Sequence, residues 1–198
     1  MTVDDTAPAA EAFARMLAAA RAGADWACTA IWVEYAPVVA AFLTARGSRE
    51  PDDLTSEVFL AVFDRLPTFH GGERELRSFI FSIAYRRLVD ELRQRARRGE
   101  TAEWTADTDP RRSGSAEDAA LQRLGDAAAL ALLDGLPADQ RDVMSLRILG
   151  DLTIEQIAVV IDKRPGAVKA LQRRALERLR KKIDPTRTLS RPVVDSEE

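Results

Sequence analysis

Leu152-Thr153-Ile154-Glu155-Gln156-Ile157-Ala158, a short turn at Asp162-Lys163-Arg164, and then Pro165-Gly166-Ala167-Val168-Lys169 decide how the second half of this chain folds. Thr153 is placed to cap a short helix whose Ile154, Ile157, Ala158 and Ile161 face inward. Pro165 suits the first position of the next helix, where its missing N–H would have no partner anyway. On that next helix Val168, Leu171, Ala175 and Leu179 fall on one side at helical spacing. Gly166, Ala170, Arg173, Arg174 and Glu177 fall on the other. A short helix, a tight turn and a longer basic helix are the layout of a helix-turn-helix, whose second helix lies in the DNA major groove. Small residues at Gly166 and Ala170 allow close approach to a groove. Arg173 then reaches base edges or phosphates, with Lys169 and Arg174 beside it and Arg164 at the helix entry. The competing reading is a plain helical hairpin with a charged outer face.

The charge pattern favours DNA, although the net charge of −3 over 198 residues does not. From Lys163 to Lys182 nine cations face one anion, Glu177. From Arg86 to Arg98 six arginines face Asp90 and Glu91. Between these blocks, Gly99 to Ala119 carries six acids and two arginines. Two basic segments and an acidic joint say more than their sum.

Upstream, almost everything periodic has the helical period, and alternating strand-like stretches are absent. A first helix is expected from about Pro8 to Arg21. Asp25 is expected to cap a second helix bearing Ile31, Trp32, Tyr35, Val38, Val39 and Phe42, with Pro37 bending or dividing it. Pro51 opens a third, with Asp52 and Asp53 near its positive end and Leu54, Val58, Phe59, Val62, Phe63 and Leu66 as its apolar set. After a loop with Phe69, His70, Gly71 and Gly72, a fourth helix runs from about Glu73 to Arg97. Its stripe is Leu76, Phe79, Ile80, Ile83, Leu88 and Leu92. Segments at about Ala116 to Leu133, Ala138 to Leu149, Ile154 to Ile161 and Pro165 to Lys182 complete the helices. The fold class is therefore all-α: two small helical domains joined by a flexible acidic linker, the C-terminal one containing the helix-turn-helix. The boundaries are 1–98, linker 99–117, 118–184, and a disordered tail 185–198.

Apolar residues make up 46% of the chain, too many for a disordered one. The longest apolar run falls short of a membrane span, so no membrane insertion is expected. Met1 to Pro8 lacks the basic-then-apolar order of a secretion signal, which points to the cytoplasm. The single cysteine, Cys28, excludes an internal disulfide and a multi-cysteine zinc site, and reads as a small core residue, with a redox switch as the competing reading. One histidine, one cysteine and no phosphate-binding glycine loop leave no catalytic set, no metal site and no cofactor site.

Leu136-Pro137, Gln140-Arg141, Val143, Leu146-Arg147, Gly150, Leu152-Thr153, Glu155, Ile157-Ala158, Gly166, Val168-Lys169, Arg174-Ala175 and Leu179-Arg180 resemble domain 4 of the extracytoplasmic-function (ECF) sigma factors of bacterial RNA polymerase. The resemblance implies that this domain reads the minus-35 promoter element and rests on the flap of the polymerase beta subunit. Asp162 departs from the turn glycine common in the family, and Arg164-Pro165 from a serine-valine entry. Asp tolerates a left-handed turn and Pro the first helical position, so the fold is expected to survive both. Asp53-Leu54-Thr55-Ser56-Glu57-Val58-Phe59 is similar to the family segment that docks on the coiled coil of the beta-prime subunit, with Ser56 in place of glutamine. That similarity makes Asp53, Ser56 and Glu57 the core-polymerase contacts. Leu76 to Arg93 is similar to the segment that opens and holds the minus-10 element, with Phe79 for tryptophan and Arg86 for asparagine.

Melting DNA needs cations for the strand backbone and flat side chains for an unstacked base. Arg86, Arg87 and Arg93 supply the charge, Tyr85 and Phe81 the flat surfaces, and Phe79 belongs to the core. The loop from Pro67 to Glu73, with Phe69 and His70, is where the family captures a flipped base. The resemblance covers roughly residues 10 to 183. It implies a transcription initiation factor that is not an enzyme, with core RNA polymerase, promoter DNA and an anti-sigma factor as partners. The rival from another class is a helix-turn-helix repressor or activator that binds duplex DNA without polymerase.

In the family the linker threads toward the polymerase active site and RNA exit path, where six acids would imitate RNA charge. Replacing the acids of 99–119 with Ser or Gln is expected to leave promoter-duplex binding intact and to change abortive products or promoter escape. Unchanged escape kinetics would make the segment a passive tether.

Overall fold

A computed structural model describes residues 6–99 and 132–183. The helix expected over 116–133, the linker and the tail lie almost wholly outside these residues. All regular structure among the described residues is helical. The elements are α1 (Thr6–Arg21), α2 (Asp25–Ala45), α3 (Pro51–Arg65), a 3-10 turn (Leu66–Thr68), α4 (Glu73–Arg97), α5 (Ala138–Ile148), α6 (Ile154–Val160) and α7 (Pro165–Ile183).

Helix α2 is the axis of the first module. Its Ile31, Tyr35, Val39, Phe42 and Leu43 are buried, against Val58, Phe59 and Val62 of α3 and Leu76, Ile80, Phe81, Ala84 and Leu88 of α4. Phe42 and Phe81 meet edge to face with centroids 5.5 Å apart. Trp32, counted with the apolar set, stays 38% exposed and lays its edge on Phe59 at 4.9 Å. Cys28 is half-buried. By length and composition alone α2 is long and apolar enough to cross a membrane. Its apolar residues instead build the core shared with α1, α3 and α4.

One expectation for α2 fails and another is narrowed. Asp25 is the first helical residue and not the cap: Ala24 takes that position, with no side-chain capping bond. Pro37 does not divide the helix, which runs unbroken through it. Pro37 and Val33 are both on the exposed face, so the carbonyl deprived of its partner can turn to water. The helix ends in a Schellman motif: Gly47 adopts φ +83°, its N–H donates to Thr44 O, and Ser48 N–H donates to Leu43 O.

The loop after α2 is tied to α4. Ser48 Oγ donates to Glu91 at 2.7 Å, and Arg95 donates to Gly47 O at 2.7 Å. Arg95 therefore serves the fold, although the sequence counts it among the cations of the basic block.

The second module is α5, α6 and α7. Thr153 caps α6 as expected: its hydroxyl accepts from Gln156 N–H, and Gln156 Oε1 accepts from Thr153 N–H at 2.9 Å. The turn into α7 repeats the Schellman pattern with Asp162 at φ +53° and Lys163 N–H donating to Ala158 O. Asp takes the left-handed position that glycine would fill more cheaply. Gly150 answers a different constraint, because a Cβ there would lie 2.6 Å from Leu146 O.

Thr153→Ala should lower stability by about 1 kcal/mol. Gly150→Ala should cost more, about 1–3 kcal/mol, because backbone must move. Both should shift the urea midpoint without changing the m-value.

Candidate nucleic-acid interface

Helix α7 divides as its periodicity implies. Val168 and Ala175 are fully buried and Leu171 and Leu179 half-buried. Arg164, Gly166, Lys169, Arg173 and Arg174 are exposed, and Ala170 is half-buried. A Cβ on Gly166 would meet nothing within 4 Å, so the chain's own packing does not require glycine there. Arg173 lies 3.8 Å from Glu177 one turn on, both well exposed. Such a pair is weak in water, and a phosphate can compete for the guanidinium. Lys163, at the turn, is paired with Asp139 at 3.2 Å.

The second basic set lies along α4 and the loop before it. Phe69 and Phe79 stack at 5.1 Å, both half-buried, and His70 Nδ1 is 2.8 Å from Thr68 O on the exposed loop. Arg86 is exposed; Arg93 is exposed 4.0 Å from Asp90. Phe81 departs from expectation. It is fully buried against Phe42 and offers no face to a base, because α4 turns it toward the core with Ala84 and Leu88. Of the two proposed flat side chains only Tyr85 reaches the surface. Its hydroxyl donates to Asp142 at 3.1 Å. Burial, and then the Asp142 charge, push its phenol well above the usual tyrosine range.

On α3, Asp53, Ser56 and Glu57 are exposed on one face, with Val58 and Val62 buried behind them. Ser56 Oγ turns back to Asp52 O at 3.1 Å. Glu57 faces Arg87 of α4 at 3.4 Å, so a side chain of the acidic set and one of the basic set meet across a groove of about 410 Å³. Leu60, one turn beyond Glu57 and 72% exposed, continues the acidic face with an apolar side chain. The sequence reading missed it, although its seven-residue spacing from Asp53 is the signal that would have found it.

The reading also missed the junction between the modules. Arg46 and Asp142 are 7% and 6% exposed and form an ion pair in which Arg46 Nε and Nη2 both reach Asp142 Oδ1. Gln156 Nε2 donates to Arg74 O at 3.0 Å. Beside them a cleft of about 430 Å³ carries Arg74, Arg77 and Arg147 against Glu73 and Asp151. Two of these arginines have structural duties: Arg77 lies over the Tyr35 ring at 5.4 Å, and Arg147 donates to Leu152 O at 2.7 Å.

Two helical modules on one chain, the second presenting a basic helix-turn-helix face, define a helix-turn-helix protein with a separate helical partner module. Residues 31–98 match the family description sigma-70 region 2, and residues 132–181 match sigma-70 region 4. The chain is 35% identical over 132 residues to the ECF RNA polymerase sigma factor ShbA of Streptomyces griseus, an overlap of 65% of this chain and 69% of ShbA. It is 33% identical over 144 residues to the ECF RNA polymerase sigma factor SigD of Mycobacterium tuberculosis, covering 70% of this chain and 65% of the length of SigD. The fold is that of the sigma factor RpoE, solved in complex with the anti-sigma factor NepR from Bartonella quintana. The TM-score is 0.62 at 21% identity, covering 82% of this chain and 98% of RpoE. The chain belongs to the ECF RNA polymerase sigma factors.

Lys169→Ala and Arg173→Ala should each reduce the salt dependence of DNA binding by about one unit of slope if they neutralise a phosphate. A lost base contact should instead cost about 1–3 kcal/mol at one position. Fluorescence anisotropy across a salt series separates the two, and an unchanged slope in the double variant would move the contact to another face.

Proposed function

We propose that this chain binds core RNA polymerase and supplies promoter recognition and strand opening, while the chemistry of RNA synthesis belongs to the polymerase. The observation that carries this reading is the joint presence, on one chain, of an exposed acidic face on α3 and an exposed basic face on α7, each within a segment matching a sigma-70 region. A repressor that works alone has no use for the first.

In this reading Arg164, Gly166, Lys169, Ala170, Arg173 and Arg174 meet the minus-35 element in the major groove. Phe69, His70, Tyr85, Arg86, Arg87 and Arg93 hold the minus-10 element. The pairing of Arg87 with Glu57 sets the basic helix beside the docking face. Asp53, Ser56 and Glu57 dock on the beta-prime coiled coil, with Leu60 adding apolar area, and the second module rests on the beta flap. The setting is the cytoplasm. An anti-sigma factor is a natural antagonist, since NepR is bound to RpoE in the complex of similar fold. Two readers held at fixed spacing on the polymerase gain by effective concentration what neither has alone, so the free chain is a poor promoter binder.

Run-off transcription with purified core polymerase on genomic fragments tests the whole reading. Tight dimeric binding of promoter duplex by the chain alone would favour a repressor instead. Asp53→Lys with Glu57→Lys should weaken competition for core polymerase without shifting thermal unfolding, because both side chains are exposed. Equal competition would remove the docking assignment.

A further inference from the structure

The cleft beside the Gln156–Arg74 hydrogen bond carries charges that the fold does not pair. Arg74 and Arg77 of α4 and Arg147 of α5 line it, with Glu73 and Asp151. Among the described residues, none of these five side chains is in an ion pair. Opposite charges share one concave surface without closing on each other, which leaves room for a ligand between them. Two of the guanidinia are nevertheless held in place. Arg77 is fixed over the Tyr35 ring at 5.4 Å. Arg147 Nη1 donates to Leu152 O at 2.7 Å, and its other N–H groups are unused. The backbone of Arg74 is fixed where its carbonyl accepts from Gln156 Nε2 at 3.0 Å, while its exposed side chain is free to turn. Thr153, on the same wall, accepts from Gln156 N–H at 3.2 Å and keeps its own O–H for another acceptor.

We propose that this cleft is a binding site for a nucleoside polyphosphate whose base carries an exocyclic amino group. Its phosphates meet Arg74, Arg77 and Arg147, and its amino group meets Glu73 or Asp151. The site shares no residue with the promoter-reading faces or with the acidic face of α3, and it does not rest on the promoter-reading function. Forked guanidinia match phosphate oxygens two at a time, and three of them together suit a chain of phosphates. A bare phosphate leaves the two carboxylates unanswered and is repelled by them. A ligand with an anionic tail and a donor-bearing head answers both signs of charge. The amino groups of adenine and cytosine are donors of this kind, and a carboxylate accepts from them. The cleft holds about 430 Å³, within the range of about 300–1,000 Å³ usual for small-molecule sites. Because Arg77 and Arg147 are already held, little ordering is left for binding to cost.

The test is calorimetric titration of the full chain, without core polymerase, with ATP, GTP, CTP, UTP and pyrophosphate as separate probes. The three amino-bearing nucleotides should bind about tenfold more tightly than UTP and pyrophosphate, the worth of one charge-assisted hydrogen bond. Arg74→Ala should weaken every probe that binds by about tenfold and leave thermal unfolding of the unliganded chain unchanged. Glu73→Ala with Asp151→Gly should remove the preference over UTP and leave pyrophosphate binding intact; glycine suits position 151, where Asp151 has φ +48°. Should that double variant fail to fold, the order of the probes and the Arg74 variant still decide. No binding of any triphosphate at about 1 mM overturns the site. Equal binding of all five probes overturns it too, as does unchanged binding by Arg74→Ala. If Lys169→Ala with Arg173→Ala weakens the nucleotides as much as Arg74→Ala does, the polyanion sits on the basic face of α7 and the cleft is not its site. Transcription is not the readout, so failure of this site and failure of the promoter-reading function are separate results.

Discussion

A carboxylate removed from water stays charged only where donors replace the water. Asp142 finds its donors on the other half of the chain, where the apolar core and the Gln156–Arg74 hydrogen bond also join the two modules. Arg46 and Tyr85 converge from α2 and α4, whose own positions follow from the apolar face of α2. Ile31, Val39 and Phe42 must be covered, and α3 and α4 cover them. The junction is thus a polar contact framed by a continuous apolar core. Truncating either ion-pair partner would leave a buried charge without its match, which is costly, while the intact pair contributes little net stability.

The same arithmetic of donors and acceptors sorts the arginines. Arg46, Arg95, Arg141 and Arg147 are engaged with backbone carbonyls or buried carboxylates. Arg86, Arg93, Arg173 and Arg174 stand in solvent. Five donors in a fixed fork make a guanidinium suited to closing loops as well as to meeting phosphates. A cation count over a segment therefore overstates the charge offered to a strand. On α7 the overstatement is small, because the inward positions are taken by Val168, Leu171 and Ala175 and the cations are left outside. On α4 it is larger, since the helix touches α2, α3 and α6 and some of its polar side chains are drawn into those contacts.

The turns show how local chemistry permits departures from a family pattern. Asp162 holds φ +53° and still lets Lys163 N–H reach Ala158 O, so the geometry between α6 and α7 survives without glycine. Pro37 survives inside α2 because the bond it removes lies on the wet face. Gly166 has open space around it, so the chain's own packing does not require glycine there.

The sequence by itself determined the helical class, the limits of most helices, the Thr153 cap and the inward face of α7. These depend on periodicity and on interactions within three or four residues. It also showed which acids of α3 stay exposed, because Val58 and Val62 leave them no inward choice. Only the tertiary structure decided that Phe81 points to the core while Tyr85 reaches the second module, since both lie on one long helix with neighbours on several sides. Only it brought Arg46 to Asp142, 96 residues away, and Glu57 to Arg87, 30 residues away. Neither member of the first pair carries a local signal. A buried arginine and a buried aspartate look like surface residues in a sequence, and the low dielectric that makes their pairing matter exists only once the modules have closed around them.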